Sequence, residues 1–139
     1  MIVLDTNVLS EILRPEPLPV VTGWLALQPA DTTFTTAITE AEMLRGVAML
    51  PSGRRRSLLA AAMGKIFAHE FAGRVLPFDE DCAAAYAEIS AARARSGRPI
   101  SQPDAMIAAI CRSRHAAIAT RNTADFERCG VRLLNPWNA

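Results

Sequence analysis

Five short runs rich in aliphatic or β-branched residues punctuate the chain: Ile2-Val3-Leu4, Thr32 to Thr36 around Phe34, Val75-Leu76-Pro77-Phe78, Ala116 to Thr120, and Val131 to Leu134. The first has the pattern of a strand buried on both faces, and the threonine-rich second suits a strand as well. Between these runs lie segments of helical periodicity. The alternation of strands with helices constrains the chain to the α/β class, with a central parallel sheet covered on both faces.

The helical segments have their own punctuation. Val8, Leu9, Ile12 and Leu13 follow helical spacing until Pro15, Pro17 and Pro19 stop it, and a second short helix is expected across Val20 to Leu27. Thr39 opens a helix through Met43, Leu44, Val47 and Leu50 that ends at Pro51-Ser52-Gly53, and another runs from Arg55 to Phe71. Asp79 caps an alanine-rich helix ending near Gly97. Ser101-Gln102-Pro103, with Pro103 at the first helical position, starts a helix reaching Arg114. A helical turn is expected at Ala124 to Arg128. With 139 residues and no repeat, low-complexity stretch or linker, residues 1–139 are expected to form one domain with one active site.

Composition excludes more than it selects. The formal charge of +1 gives no electrostatic argument for or against nucleic acid. All basic residues but Lys65 are arginine, which suits bidentate contacts to phosphate, although a GC-rich genome produces the same bias. Cys82, Cys111 and Cys129 are odd in number and lack C-x-x-C spacing, as reduced core cysteines of a cytoplasmic protein would. No basic, apolar leader and no membrane-length apolar run is present, so no membrane association is expected. The phosphate-cradling patterns G-x-x-x-x-G-K and G-x-G-x-x-G are absent. His69 and His115 fall in helical segments without a Ser-His-Asp or Cys-His arrangement, which makes them structural or surface residues.

In open parallel sheets, ligands gather at the carboxyl ends of strands. Acids or their analogues stand at four such places: Asp5 after the first run, Glu42 shortly after the second, Asp104 in the Pro103 helix, and Asn122 with Asp125 after the fourth. Gathered carboxylates repel unless a hard divalent cation neutralises them, and an all-oxygen set points to magnesium, with manganese as the alternative. Each has a structural explanation when taken singly. Thr39-x-x-Glu42 and Ser101-x-x-Asp104 match the capping box, Asp5 suits a helix N-cap, and Asp125 suits a surface turn.

Four segments carry a family resemblance: Ile2-Val3-Leu4-Asp5-Thr6-Asn7, Thr39-Glu40-Ala41-Glu42, Pro103-Asp104-Ala105-Met106-Ile107-Ala108-Ala109, and Thr120-Arg121-Asn122-Thr123-Ala124-Asp125-Phe126. In order and spacing they resemble the motifs of PIN-domain nucleases, especially the VapC toxins and their FitB-like branch, to which the closing Asn135-Pro136-Trp137 is also similar. The resemblance implies a three-layer α/β/α sandwich, a homodimer, and a magnesium-dependent endoribonuclease restrained by a cognate VapB- or FitA-like antitoxin. It implies Asp5 and Asp104 as principal metal ligands, with Glu42 completing the acidic cluster directly or through water. Thr6 and Asn7 would orient Asp5, and Thr120 would support the last motif. Asn122 stands where some relatives carry an acid and Asp125 lies three residues on, so which of the two completes the site stays open.

Metal-assisted hydrolysis of RNA needs no nucleophilic side chain, in keeping with the missing triads. Arg121, beside the last acidic motif, is the better placed candidate for a substrate phosphate, and Arg54-Arg55-Arg56 is either a phosphate contact or a solvated charge run. Trp24 and Trp137 read as core or dimer-interface residues rather than base-stacking platforms. The antitoxin would lay a peptide arm over helices near the acids and place a basic residue among them, and DNA would be contacted only through the antitoxin. Three alternatives remain: a phosphatase with Asp5 as covalent nucleophile, in which Asn7 replaces the second acid; a PIN-domain RNA-processing nuclease that is not a toxin; and a silent PIN-like binding module.

Overall fold

The computed structural model describes all 139 residues. Its strands are β1 (Ile2–Leu4), β2 (Thr33–Thr36), β3 (Val75–Leu76), β4 (Ala117–Ala119) and β5 (Leu133–Leu134). They form one parallel sheet in the order β3-β2-β1-β4-β5. The helices are α1 (Thr6–Ile12), α2 (Pro19–Ala26), α3 (Ala37–Ala48), α4 (Arg54–Lys65), α5 (Glu80–Arg95) and α6 (Gln102–Ser113). The chain advances from β1 through β2 to β3, then crosses back to β4 and β5. The winding reverses between β1 and β4, and right-handed crossovers place the helices of the two directions on opposite faces. The crevice at that reversal, outside the carboxyl ends of the strands, is where such sheets hold ligands.

Successive residues of a buried strand face opposite ways, and β1 serves two cores. Val3, in register with Ile118, packs with Ile89, Ile107, Ile110 and Phe126 beneath α5 and α6. Leu4, in register with Ala119, packs with Val8, Leu9, Val21, Met43 and Phe67 beneath α1 to α4. Fully buried Ala108 and Ala109 on α6 let that helix lie close against the sheet. The expected sandwich is therefore present, with a separate apolar layer on each side.

Several boundaries differ from the sequence reading for definite reasons. Thr36, not Thr39, caps α3: its extended backbone at the end of β2 leaves its hydroxyl free to accept the Thr39 N–H at 3.1 Å. Pro19 starts α2 instead of only closing the preceding stretch, because its fixed φ suits the first helical turn. Pro103 occupies the second helical position, after Gln102. β3 stops at Leu76, since Pro77 has no N–H to offer a ladder. α4 ends in a π-helical turn, Ile66–Glu70. His115 lies beyond α6 with φ 54°, so it terminates that helix instead of extending it; both histidines are exposed.

Asp79 caps α5 by accepting the Asp81 N–H at 3.1 Å, as its position before the alanine-rich stretch suggested. All three cysteines are buried and unpaired. No helix is long and apolar enough to cross a membrane. Truncating fully buried Ile118 to Ala is expected to cost about 2–5 kcal/mol in urea unfolding. Leu27→Ala, at a side chain 82% exposed, should stay within about 0.5 kcal/mol of wild type.

Candidate active site

Asp5 follows β1 directly and caps α1, so its carboxylate is fixed at the carboxyl edge of the sheet. Its backbone N–H donates to Ala119 O at 3.0 Å, which ties it to β4. Its Oδ1 accepts the Thr6 N–H at 2.8 Å. Its Oδ2 accepts the Thr120 hydroxyl at 2.8 Å and Asn7 Nδ2 at 3.4 Å. Thr120 Oγ1 in turn accepts Asn7 Nδ2 and the Asn122 N–H, each at 3.1 Å, and Asn7 Oδ1 accepts the Arg121 N–H at 3.2 Å. The first and last motifs are thus knitted together around one carboxylate.

Thr6 has a second task. Its hydroxyl donates to Glu42 Oε1 at 3.1 Å and lies 3.3 Å from Thr39 Oγ1, so it positions Glu42 while its backbone N–H serves Asp5. Because Thr36 is the cap, Glu42 sits one turn too far along α3 to close a capping box. At α6, Ser101 Oγ accepts the Asp104 N–H at 3.3 Å, but no reciprocal bond from Asp104 to the Ser101 N–H forms. Capping therefore accounts for Ser101 and leaves both acids facing a common space.

That space is a cavity of about 510 Å³ lined by Asp5, Thr6, Asn7, Ser10, Glu11, Arg14, Glu42, Asp104 and Asn122, with no apolar side chain. Asn122 borders it, while Asp125 is exposed and outside the lining and acts on Asp5 and Asp104 through its charge. Arg121 is outside the lining, with its guanidinium 5.5 Å from the centre of the Trp137 ring. Trp24 and Trp137 are half-buried and pack against the apolar layer under α1 to α4.

Sequence reasoning missed Ser10, Glu11 and Arg14. Their signal was available: with Asn7 they follow i, i+3, i+4, i+7 spacing, which lines up one helix face. Buried Glu11 accepts the Leu18 N–H and pairs with Arg14 at 3.2 Å, bracing the turn after α1. Buried Arg93 was missed as well, and nothing separates it in sequence from its exposed neighbour Arg95.

The electrostatics are those of a site short of positive charge. Burial raises the Asp5 pKa above 3.8, the bonds from Thr120 and Thr6 oppose the rise, and the charges of Glu42 and Asp125 add to it. Glu42 is raised above 4.5, chiefly by burial of its carboxyl and further by Asp104, against the bond from Thr6. Asp104 is raised chiefly by burial, with Asp5 and Asp125 adding to it and Ser101 and Arg93 opposing.

No three acid, histidine or cysteine side chains stand close enough to form a converged ligand set. Magnesium keeps several of its waters and needs only one or two carboxylates, so an open, all-oxygen cavity with mutually repelling acids fits such an ion. A covalent role for Asp5 fits poorly, since both its oxygens are engaged and the residue is 6% exposed.

A carboxylate whose folded pKa lies above its unfolded one favours folding while protonated. That contribution is complete below the unfolded value and is lost as pH rises through the folded one. At neutral pH the ionised cluster therefore destabilises the metal-free chain. Metal-free Asp104→Asn is expected to melt above wild type at pH 7, with the gain shrinking as pH falls towards 3.8. A variant that melts lower than wild type at pH 7 would contradict this electrostatic account.

The sequence and fold have known counterparts. Residues 2–131 match the PIN domain family. The chain is 41% identical over 137 residues to VapC ribonuclease Y4jK of Sinorhizobium fredii, covering 99% of this chain and 98% of that protein. It is 41% identical over 138 residues to toxin FitB of Neisseria gonorrhoeae, covering 99% of each. A solved structure of FitAB bound to an IR36 DNA fragment matches with a TM-score of 0.92 at 42% identity, covering 99% of this chain and 96% of that one. The chain belongs to the PIN-domain family, within its VapC- and FitB-like group.

Proposed function

We propose that the chain is the toxin of a toxin–antitoxin pair and acts as a magnesium-dependent endoribonuclease at the acidic cavity. One observation carries this reading: four sequence-distant motifs bring Asp5, Glu42, Asp104 and Asn122 to one polar cavity at the reversal of the sheet, with the charge of Asp125 acting on Asp5. The ribonuclease and toxin names of its relatives support it.

Asp5 and Asp104 would hold the ion, with Glu42 contributing directly or through water. When bound, a divalent cation supplies Lewis-acid polarisation of the scissile phosphate and a more acidic water. The chain's own residues supply the rest. The Thr6 N–H, Asn7 and Thr120 hold Asp5 in one orientation and keep it from turning towards solvent. Thr6 engages Glu42 Oε1, so Oε2 is the oxygen left to take the proton of the attacking water, and the raised proton affinity of Glu42 suits that task. Asp125 adds the remaining negative charge, while Asn122 acts through its N–H bond to Thr120.

The antitoxin would approach from the side of α1, α3 and α4. A groove of about 860 Å³ lies there, with Leu13, Met43, Val47, Leu59 and Met63 in its wall; it shares Thr6, Ser10, Arg14 and Glu42 with the acidic cavity. An amphipathic peptide arm suits such a groove, and a basic side chain at its end would meet the acids and displace the cation. This contiguity favours the toxin over an RNA-maturation enzyme of the same fold. DNA contact through the antitoxin accords with the DNA-bound FitAB structure.

Purified, antitoxin-free protein is expected to cut total RNA with magnesium and not with EDTA, and Asp5→Asn and Asp104→Asn should reduce cutting to background. RNA left intact with magnesium, or variants as active as wild type, would remove the catalytic reading and favour a binding module. Thr120→Val, which deletes the hydroxyl behind Asp5, should lower activity about 10- to 100-fold without unfolding the chain.

A further inference from the structure

Arg93 is the only buried basic residue, and it has no ion-pair partner. Its Nε and Nη1 donate chiefly to main-chain carbonyls. Nε donates to Arg98 O at 2.7 Å, and Nη1 donates to Asp125 O at 2.9 Å and Glu127 O at 3.1 Å. Nη1 also reaches Cys129 Sγ at 3.7 Å. Burying a charge without an ion pair is costly, and the Arg93 charge is felt by Asp104 without a direct pair.

The two sets of carbonyls belong to different connections. Arg98 lies between α5 and α6, on the segment that leads to Ser101 and Asp104. Asp125, Glu127 and Cys129 lie between β4 and β5. On the outer side the same two connections are joined by the Arg98–Glu127 pair at 3.2 Å, which is exposed and worth little by itself. Arg93 is thus an internal strut with one end on the Asp104 approach and the other on the Asp125 turn. The planar guanidinium fork can bond in both directions at once, whereas a lysine ammonium is a single point.

We propose that Arg93 is a positioning residue that sets the separation between Asp104 and Asp125, and so the spread of carboxylates presented to a divalent cation. The proposal rests on the reading that Asp5 and Asp104 hold such an ion, with Asp125 adding its charge to the site. It predicts that losing the strut harms metal binding itself, in the absence of any substrate, and beyond any general loosening of α5.

The test is Mn²⁺ binding by calorimetry to the metal-free full chain. The proteins are wild type, Arg93→Lys, Arg93→Gln, Arg98→Ala and, as a packing control on the same helix, Ile89→Val. Arg93→Lys and Arg93→Gln are expected to weaken Mn²⁺ binding about tenfold or more. Arg98→Ala and Ile89→Val should stay within about twofold of wild type. Failure of the lysine to rescue, although it keeps the charge, marks the fork geometry as the cause. If the glutamine variant does not fold, the lysine variant carries the comparison. Arg93 variants that bind Mn²⁺ like wild type would overturn the proposal, as would an equal loss in Ile89→Val. A wild-type chain that binds no Mn²⁺ would instead overturn the metal reading of the acids and the strut with it.

Discussion

The structure turns on a buried carboxylate that the fold cannot neutralise by itself. Asp5 is held by donors from both its own motif and the last one, yet none of these is a cation, and the charges that act on it are those of Glu42 and Asp125. The backbone makes this arrangement unavoidable. β1 and β4 pair in register at Leu4 and Ala119, so the residues that follow them, Asp5 and Thr120, emerge side by side at the point where the sheet reverses. Hydrogen bonds from Thr120, Asn7 and the α1 N-terminus fix the geometry of Asp5 and only partly offset its desolvation. The missing counter-charge is the physical core of the functional assignment.

The rest of the fold holds the other acids at the same edge. Thr36 caps α3 and leaves Glu42 one turn further along, within reach of the Thr6 hydroxyl. Ser101 caps α6, places Asp104 in its first turn, and lets the alanine-rich face of that helix lie flat on the sheet. An electrostatically unfavourable cluster of acids is thus carried on a frame whose stability comes from the two apolar layers.

Much of this was legible in the residues. The five runs became the five strands because aliphatic and β-branched segments of that length have few other places in a small α/β domain. Asp5, Asp104 and Asn122 reach one cavity because each follows a strand or opens a helix beside one, and Glu42 joins them from the second turn of α3. The errors were local. The pattern Thr39-x-x-Glu42 cannot be told from Thr36 acting three residues earlier until the end of β2 is known. Helical periodicity likewise does not report the left-handed backbone of His115 beyond α6. Arg93 could not be found at all: its role depends on joining the nearby Arg98 carbonyl to those of Asp125 and Glu127, more than thirty positions on, and an arginine in a run of alanines reads as solvated.

Whether the Asp5 cluster holds a divalent cation, as proposed, is read by anomalous scattering from Mn²⁺-soaked crystals of the antitoxin-free chain. The account predicts a peak in the cavity between Asp5 and Asp104, absent from crystals of Asp5→Asn. A cavity without a peak at saturating Mn²⁺, or a peak that persists undiminished in Asp5→Asn, would contradict it.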